Sequence, residues 1–222
     1  MSTAEKVIEN LRQFNRKERF YLVGTALGNP KFKLGQDFRS RLQSKLDLEV
    51  PEAAFAAMDY HLDWIYASVF LASQSEAKPR YKNTGEITAT SEDIDFLIAY
   101  QEGEYCHIIL AEAKGDSAFS NKQLGDKACR LKQIFGEDGR KWAGVIPHSA
   151  LMSPYRPTKR LNHKCWPDWM HPDGKFKWVE LRLPDHLKKV TVCDEKGIRD
   201  RDGQHWKVTE IPVRGFHPDS TG

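Results

Sequence analysis

Apolar residues recur along the first third of the chain at helical intervals. Val7, Leu11 and Phe14 follow Ser2 and Glu5, which stand at capping-box spacing, so a first helix begins at Ser2. FYLVGTALG reads as a second helix, closed by Gly28 with Pro30 beyond it. Leu34, Phe38, Leu42 and Leu46 recur every four residues and predict a third. Pro51 suits a first helical turn and opens PEAAFAAMDYHLDWIYASVFLAS, where Phe55, Met58, Leu62, Ile65 and Val69 form an apolar stripe. That pattern predicts one long fourth helix.

The period changes after Pro79. NTGE, around Gly85, is a turn. IDFLIAY (94–100) and HIILAEA (107–113) are short runs rich in strand formers, and QEGEY between them signals a hairpin. Leu124, Ala128, Leu131 and Ile134 restore helical spacing up to Gly136, and WAGVIP then reads as a short buried strand. The tail holds strand-like pieces in FKWVELRLP, KKVTVCD and HWKVTEIPV, with DRDG as a turn. The predicted organisation is a helical N-terminal extension (1–50), an α/β core (51–150) and a β-rich, basic and aromatic C-terminal extension (151–222), packed as one globular unit.

Composition narrows the class only slightly. The chain has 222 residues, 40% apolar and 29% charged, as expected of a soluble domain. No apolar run approaches the ~18 residues of a membrane span, and the polar N-terminus lacks a secretory signal's pattern. Cys106, Cys129, Cys165 and Cys193 are scattered singly, which suits free thiols in a cytoplasmic protein. The net charge of +3 is too small to argue for nucleic acid. Its distribution says more: residues 1–50 and 151–222 each carry a net +4, and residues 51–150 carry −5. An acidic middle between basic flanks suits a metal site framed by phosphate-binding surface.

The candidate chemistry lies where IILAEAKGD ends the second hairpin strand. Side chains alternate along a strand, so Glu112 and Lys114 share a face with Ile108 and Leu110. With QEGEY as the turn, Asp95 at the start of the first strand comes beside Glu112 at the end of the second. Two neighbouring carboxylates repel, and a divalent cation relieves the repulsion. Asp93 lies two residues earlier and competes with Asp95, but the unbroken apolar run starts immediately after Asp95. Gln123 and Lys127 stand four apart and share a helical face. Three other acid-x-lysine strings occur, at 76–78, 173–175 and 194–196, and none closes a hairpin whose first strand begins with an acid.

Asp95, then Glu112-Ala113-Lys114, then Gln123-x-x-x-Lys127 resembles the PD-(D/E)xK nuclease superfamily over residues 51–147. The resemblance implies a restriction-endonuclease-like core, a mixed central sheet flanked by helices. It also implies metal-dependent phosphodiester hydrolysis with Mg2+ or Mn2+, on DNA rather than RNA. In that reading Asp95, Glu112 and the Ala113 carbonyl hold the metal, Lys114 acts on the attacking water, and Gln123 and Lys127 line the site from the helix. No proline precedes the acid, a departure shared by many members. Members often add an acid from the helix before the sheet; Glu52, Asp59 and Asp63 are candidates, the last two ranked first.

Plainer readings stand beside each of these. Glu112 and Lys114 can be a salt bridge at a strand end, and Asp59 and Asp63 the wet face of an amphipathic helix. His61 and His107 read as incidental, and the spacing of His163, Cys165 and His171 fits no standard zinc site. Lys122, Lys159, Arg160 and Lys164 are candidate nucleic-acid contacts, the last three among tryptophans that equally serve to pack the tail. The alternative function is a catalytically inactive nucleic-acid-binding or scaffold protein on the same core. A homodimer is compatible with either.

Overall fold

The computed structural model describes all of the chain except residues 15, 16, 31, 91, 158–160, 185, 212–214 and 217–222. Helix α1 (Thr3–Gln13) starts as the capping box requires: Glu5 N–H donates to the Ser2 hydroxyl, and the Glu5 carboxylate accepts from Ser2 N–H. Helix α2 (Glu18–Tyr21) runs into a π-helical turn over Leu22–Ala26, and α3 covers Gln36–Leu46. The five-stranded mixed sheet follows. Its strands are β1 (Phe55–His61), β2 (Asp93–Glu102), β3 (Tyr105–Ala113), β4 (Val145–Ser153) and β5 (Trp178–Glu180), in that spatial order. β1, β2 and β3 are antiparallel neighbours, whereas β4 lies parallel to β3 and β5 parallel to β4. Helix α4 (Leu62–Ser73) joins β1 toward β2, and α5 (Asn121–Phe135) carries the crossover from β3 to β4.

The long fourth helix does not form. Nearly half of it lies before the helix and holds strand β1, and the helix begins only at Leu62, where the His61 ring accepts from Asp63 N–H at 3.2 Å. The misreading has a physical cause. A strand covered on both faces is apolar at successive positions, so Phe55 and Met58 mimic a helical stripe. In β1, Phe55 and Ala57 pack on one side of the sheet and Ala56 on the other.

Those two sides make three layers. Ala4, Val7 and Leu11 of α1, Leu62, Ile65 and Val69 of α4, and Leu124, Ala128 and Leu131 of α5 pack against Leu97, Ala99, Ile108 and Leu110. On the opposite face, Leu34 and Leu42 from the α3 region cover Ile98, Ile109, Ala111 and Met152. Leu161, Trp166 and Met170 join the first core and Val179 the second, so both terminal extensions help bury the sheet. The rest of the tail forms two small ribbons, β7 (Lys188–Cys193) with β8 (His205–Glu210), and β6 (Leu183–Pro184) with β9 (Gly215–Phe216). No helix among the described residues is long and apolar enough to cross a membrane.

Near the start of β3 and β4, the His107 and His148 rings stack 5.2 Å apart, with Nδ1 of His107 3.0 Å from Nε2 of His148. Tyr100 stacks on the other face of His107, and Glu102 approaches its Nε2 at 3.4 Å. Burial, and then the neighbouring His107, pull the His148 pKa down to about 4. Burial also lowers that of His107, against the pull of Glu102. The folded chain therefore takes up these protons less readily than the unfolded chain, which binds them below about pH 6.5. The pair's contribution to folding stability is full above that pH and is lost as the pH falls toward 4. In urea titrations across this window, His148→Gln should lose stability less steeply than the wild type; equal slopes would mean that the pair does not govern acid sensitivity.

Candidate active site

The hairpin forms with the expected register. Glu102 pairs with Tyr105 around Gly103, whose φ of 57° suits a tight turn, and pairing continues inward to Phe96 opposite Ala111. One step further, Asp95 stands across from Glu112, and there the backbone ladder stops. The Asp95 side chain takes over: its Oδ2 accepts from Ala113 N–H at 2.7 Å. A strand-end donor is thus satisfied by a carboxylate in place of a carbonyl.

Glu112 is buried, as are Ile108 and Leu110 before it on the same face. That face is the one α5 covers. Its Oε1 accepts from Lys114 Nζ at 3.2 Å, and its Oε2 is paired with Lys127 Nζ from α5. All three side chains are largely shielded, with 9%, 21% and 16% of their surfaces accessible. A buried carboxylate left alone would cost several kcal/mol, and two ammonium groups offset that cost. Lys114 N–H donates to Met152 O at 2.8 Å, which fixes its backbone as an extension of the β3–β4 pairing. Gln123 lies one turn before Lys127 and is exposed; its backbone N–H meets the Ser120 cap. The geometry therefore joins Asp95, Glu112, Ala113, Lys114 and Lys127 around one strand end, while Gln123 is exposed one turn earlier on α5.

The remaining acids are engaged elsewhere. Asp59 is on strand β1, not on a helix, in a left-handed conformation (φ 48°) that Asp tolerates better than most residues. It pairs with Arg19 at 3.2 Å. Asp93 lies opposite His61 and pairs with Lys17, while its Oδ1 is buried without a partner. Glu52 is exposed and pairs with Lys33 at 2.9 Å. Asp63 is buried in the first turn of α4, and its partners lie far along the chain. It accepts from Thr88 N–H at 3.1 Å, from Ala89 N–H at 2.8 Å and from the Arg130 guanidinium at 2.5 Å. Arg130 also donates to the Glu86 carbonyl. Burial pushes the Asp63 carboxyl up, but the backbone donors and Arg130 outweigh it and hold its pKa below the usual carboxylate value. Asp63 thus fastens the 86–90 segment between α4 and α5, a buried structural role and not the wet helix face of the plainer reading. The available signal was Arg130 itself, a cation next to the apolar stripe of a core helix.

Of the basic candidates, Lys122 and Lys164 are exposed, and Lys159 and Arg160 lie outside the described residues. Asn162 N–H donates to Asn121 Oδ1 at 2.9 Å, which brings the Lys164 segment to the start of α5, beside Lys122. His163 and His171 have ring centres 5.1 Å apart, but no group of three or more His, Cys, Asp or Glu among the described residues is arranged to hold a metal. Lys189 of β7 pairs with Asp116, two residues past Lys114, and so ties the tail ribbon to the loop leaving the site.

Comparison with protein-family models, curated proteins and solved structures returns no match for this chain. The Asp63–Arg130 pair makes a testable demand of its own. Arg130→Leu strands a buried carboxylate and should cost about 3–5 kcal/mol of unfolding free energy in urea. A loss below about 1 kcal/mol would mean that the backbone donors alone carry Asp63.

Proposed function

We propose that this protein is a divalent-metal-dependent nuclease of the PD-(D/E)xK type, hydrolysing phosphodiester bonds in nucleic acid, with DNA the preferred substrate. The observation that carries the reading is the meeting of Asp95, Glu112, Lys114 and Lys127 at one end of the β2–β3 hairpin. The sheet supports it too: an antiparallel β1–β2–β3 meander is followed by a crossover helix and a parallel β4, as expected of a restriction-endonuclease-like core.

The donor set suits magnesium or manganese. Two carboxylates and a backbone carbonyl, with the remaining positions left to water and phosphate, is the hard-oxygen shell such ions take. Lys114 and Lys127 now supply Glu112 with the positive charge an ion would bring. Asp95, Glu112 and the Ala113 carbonyl would hold the ion, which when bound acidifies water and draws charge from a phosphoryl oxygen. Lys114, held beside Glu112, orients the attacking water and stabilises negative charge at the reacting phosphate. Lys127 adds positive charge from α5, and the exposed Gln123, one turn earlier, offers an amide to substrate or water. Lys122 and Lys164, exposed near the start of α5, are suited to contact the nucleic-acid backbone.

The second reading, an inactive binding or scaffold protein, draws on one observation: two salt bridges satisfy Glu112 without any ion. One assay separates the two. Single-stranded DNA, duplex DNA and RNA are incubated with magnesium, manganese or EDTA. The wild type should cut only with metal, Glu112→Gln should not cut, and Lys114→Ala should be slower by roughly 10²–10⁴-fold. Circular dichroism should show both variants folded. Cutting by Glu112→Gln at the wild-type rate would overturn the nuclease reading. No cutting by any form, with no manganese affinity by calorimetry, would establish the scaffold.

A further inference from the structure

Helix α5 presents Asn121, Gly125, Cys129, Lys132 and Gly136 at steps of four, four, three and four, so these residues share one face. The segment from Leu161 to Met170 lies along that face and is pinned at both ends. At the start of the helix, Asn162 N–H donates to Asn121 Oδ1 at 2.9 Å. At its end, Asp168 N–H donates to Glu137 O at 3.0 Å, and the Trp169 indole donates to Gly136 O at 3.2 Å. Leu161, Trp166 and Met170 sink into the core and hold the segment down. Cys165 lies halfway between the two pins, and Cys129 halfway between their partners on the helix. Lys132 lies one turn past Cys129. Its pKa is raised, first by a hydrogen bond and charge from Glu137, and then by the charges of both Cys129 and Cys165.

Both thiols are exposed, whereas Cys106 and Cys193 are buried. Burial pushes the Cys106 thiol up to about 12, so it stays protonated and inert. We propose that Cys129 and Cys165 form a reversible intrachain disulfide that fastens the 161–170 segment to α5. The reaction is thiol–disulfide exchange with a small disulfide such as oxidised glutathione. One cysteine thiolate attacks a glutathione sulfur, the S–S bond breaks, and glutathione leaves as its thiolate. The second cysteine, having lost its proton, attacks the protein sulfur of the mixed disulfide and releases the second glutathione. Two cysteine thiols are oxidised and one glutathione disulfide is reduced. The bond needs the two Cα atoms within about 4.4–6.8 Å, so the turn that carries Cys165 has to close onto α5 for it to form.

The proposal does not depend on the nuclease reading, and its test measures no cleavage. The reduced full-length chain is equilibrated with graded mixtures of oxidised and reduced glutathione. Free thiols are then alkylated under denaturing conditions, and intact and peptide masses are read. In the wild type, two thiols should disappear together with no glutathione added, and a linked Cys129–Cys165 peptide should appear and be reversed by dithiothreitol. Cys129→Ser and Cys165→Ser should each gain one glutathione in the same mixtures. The melting temperature should rise on oxidation of the wild type only. Glutathione adducts, intermolecular dimers or unchanged thiols in the wild type would each overturn the proposal.

Discussion

β3 and β4 run parallel, and a parallel neighbour cannot be reached by a tight turn. The chain has to leave the end of β3, cross the sheet and return to the start of β4. Helix α5 is that crossing, and it packs on the face that carries Ile108, Leu110 and Glu112. The site follows from this one constraint. The exit of β3 supplies Glu112 and Lys114, and the returning helix brings Lys127 onto the same carboxylate. The antiparallel pairing of β2 then adds Asp95 at the same end.

Electrostatic balance beneath α5 is maintained from a single helix. Lys127 and Arg130, three residues apart, each meet a buried acid, Glu112 on the sheet and Asp63 on α4. The two pairs differ in what they leave open. Asp63 is saturated by a guanidinium, two backbone amides and a threonine hydroxyl, a closed arrangement suited to holding layers together. Among the described residues Glu112 is met by ammonium groups on flexible stems, which can be displaced without dismantling backbone structure. Carboxylates of similar burial thus serve as a rivet in one case and as an exchangeable contact in the other.

Much of this was legible in the chain. The hairpin and the acid opposite Glu112 followed from alternation and a single turn signal, and the placement of Lys127 at the site from the family resemblance. The capping box located α1 directly. Two things were hidden. Strand β1 is buried on both faces and so carries no alternation to distinguish it from the helix that follows; Asp59 and Asp63 were assigned to one helix for that reason. The partners of the second acid were also hidden, since Arg130 stands 67 residues from Asp63 and no local pattern reports so distant a contact. Local periodicity encodes elements and their faces. It does not encode which charges meet once the elements have packed.

The pairing of Lys127 and Arg130 from one helix also sets how the gene for this protein can change in length. An α-helix turns about 100° per residue, so one residue inserted between Asn121 and Lys127 rotates both cations away from both acids in a single step. A loss of that kind leaves two buried carboxylates stranded together, and no single compensating substitution restores both. Insertions at the exposed turn between β7 and β8 meet no such coupling. Length variation in this molecule is therefore tolerated in the β7–β8 turn far better than in the first two turns of α5.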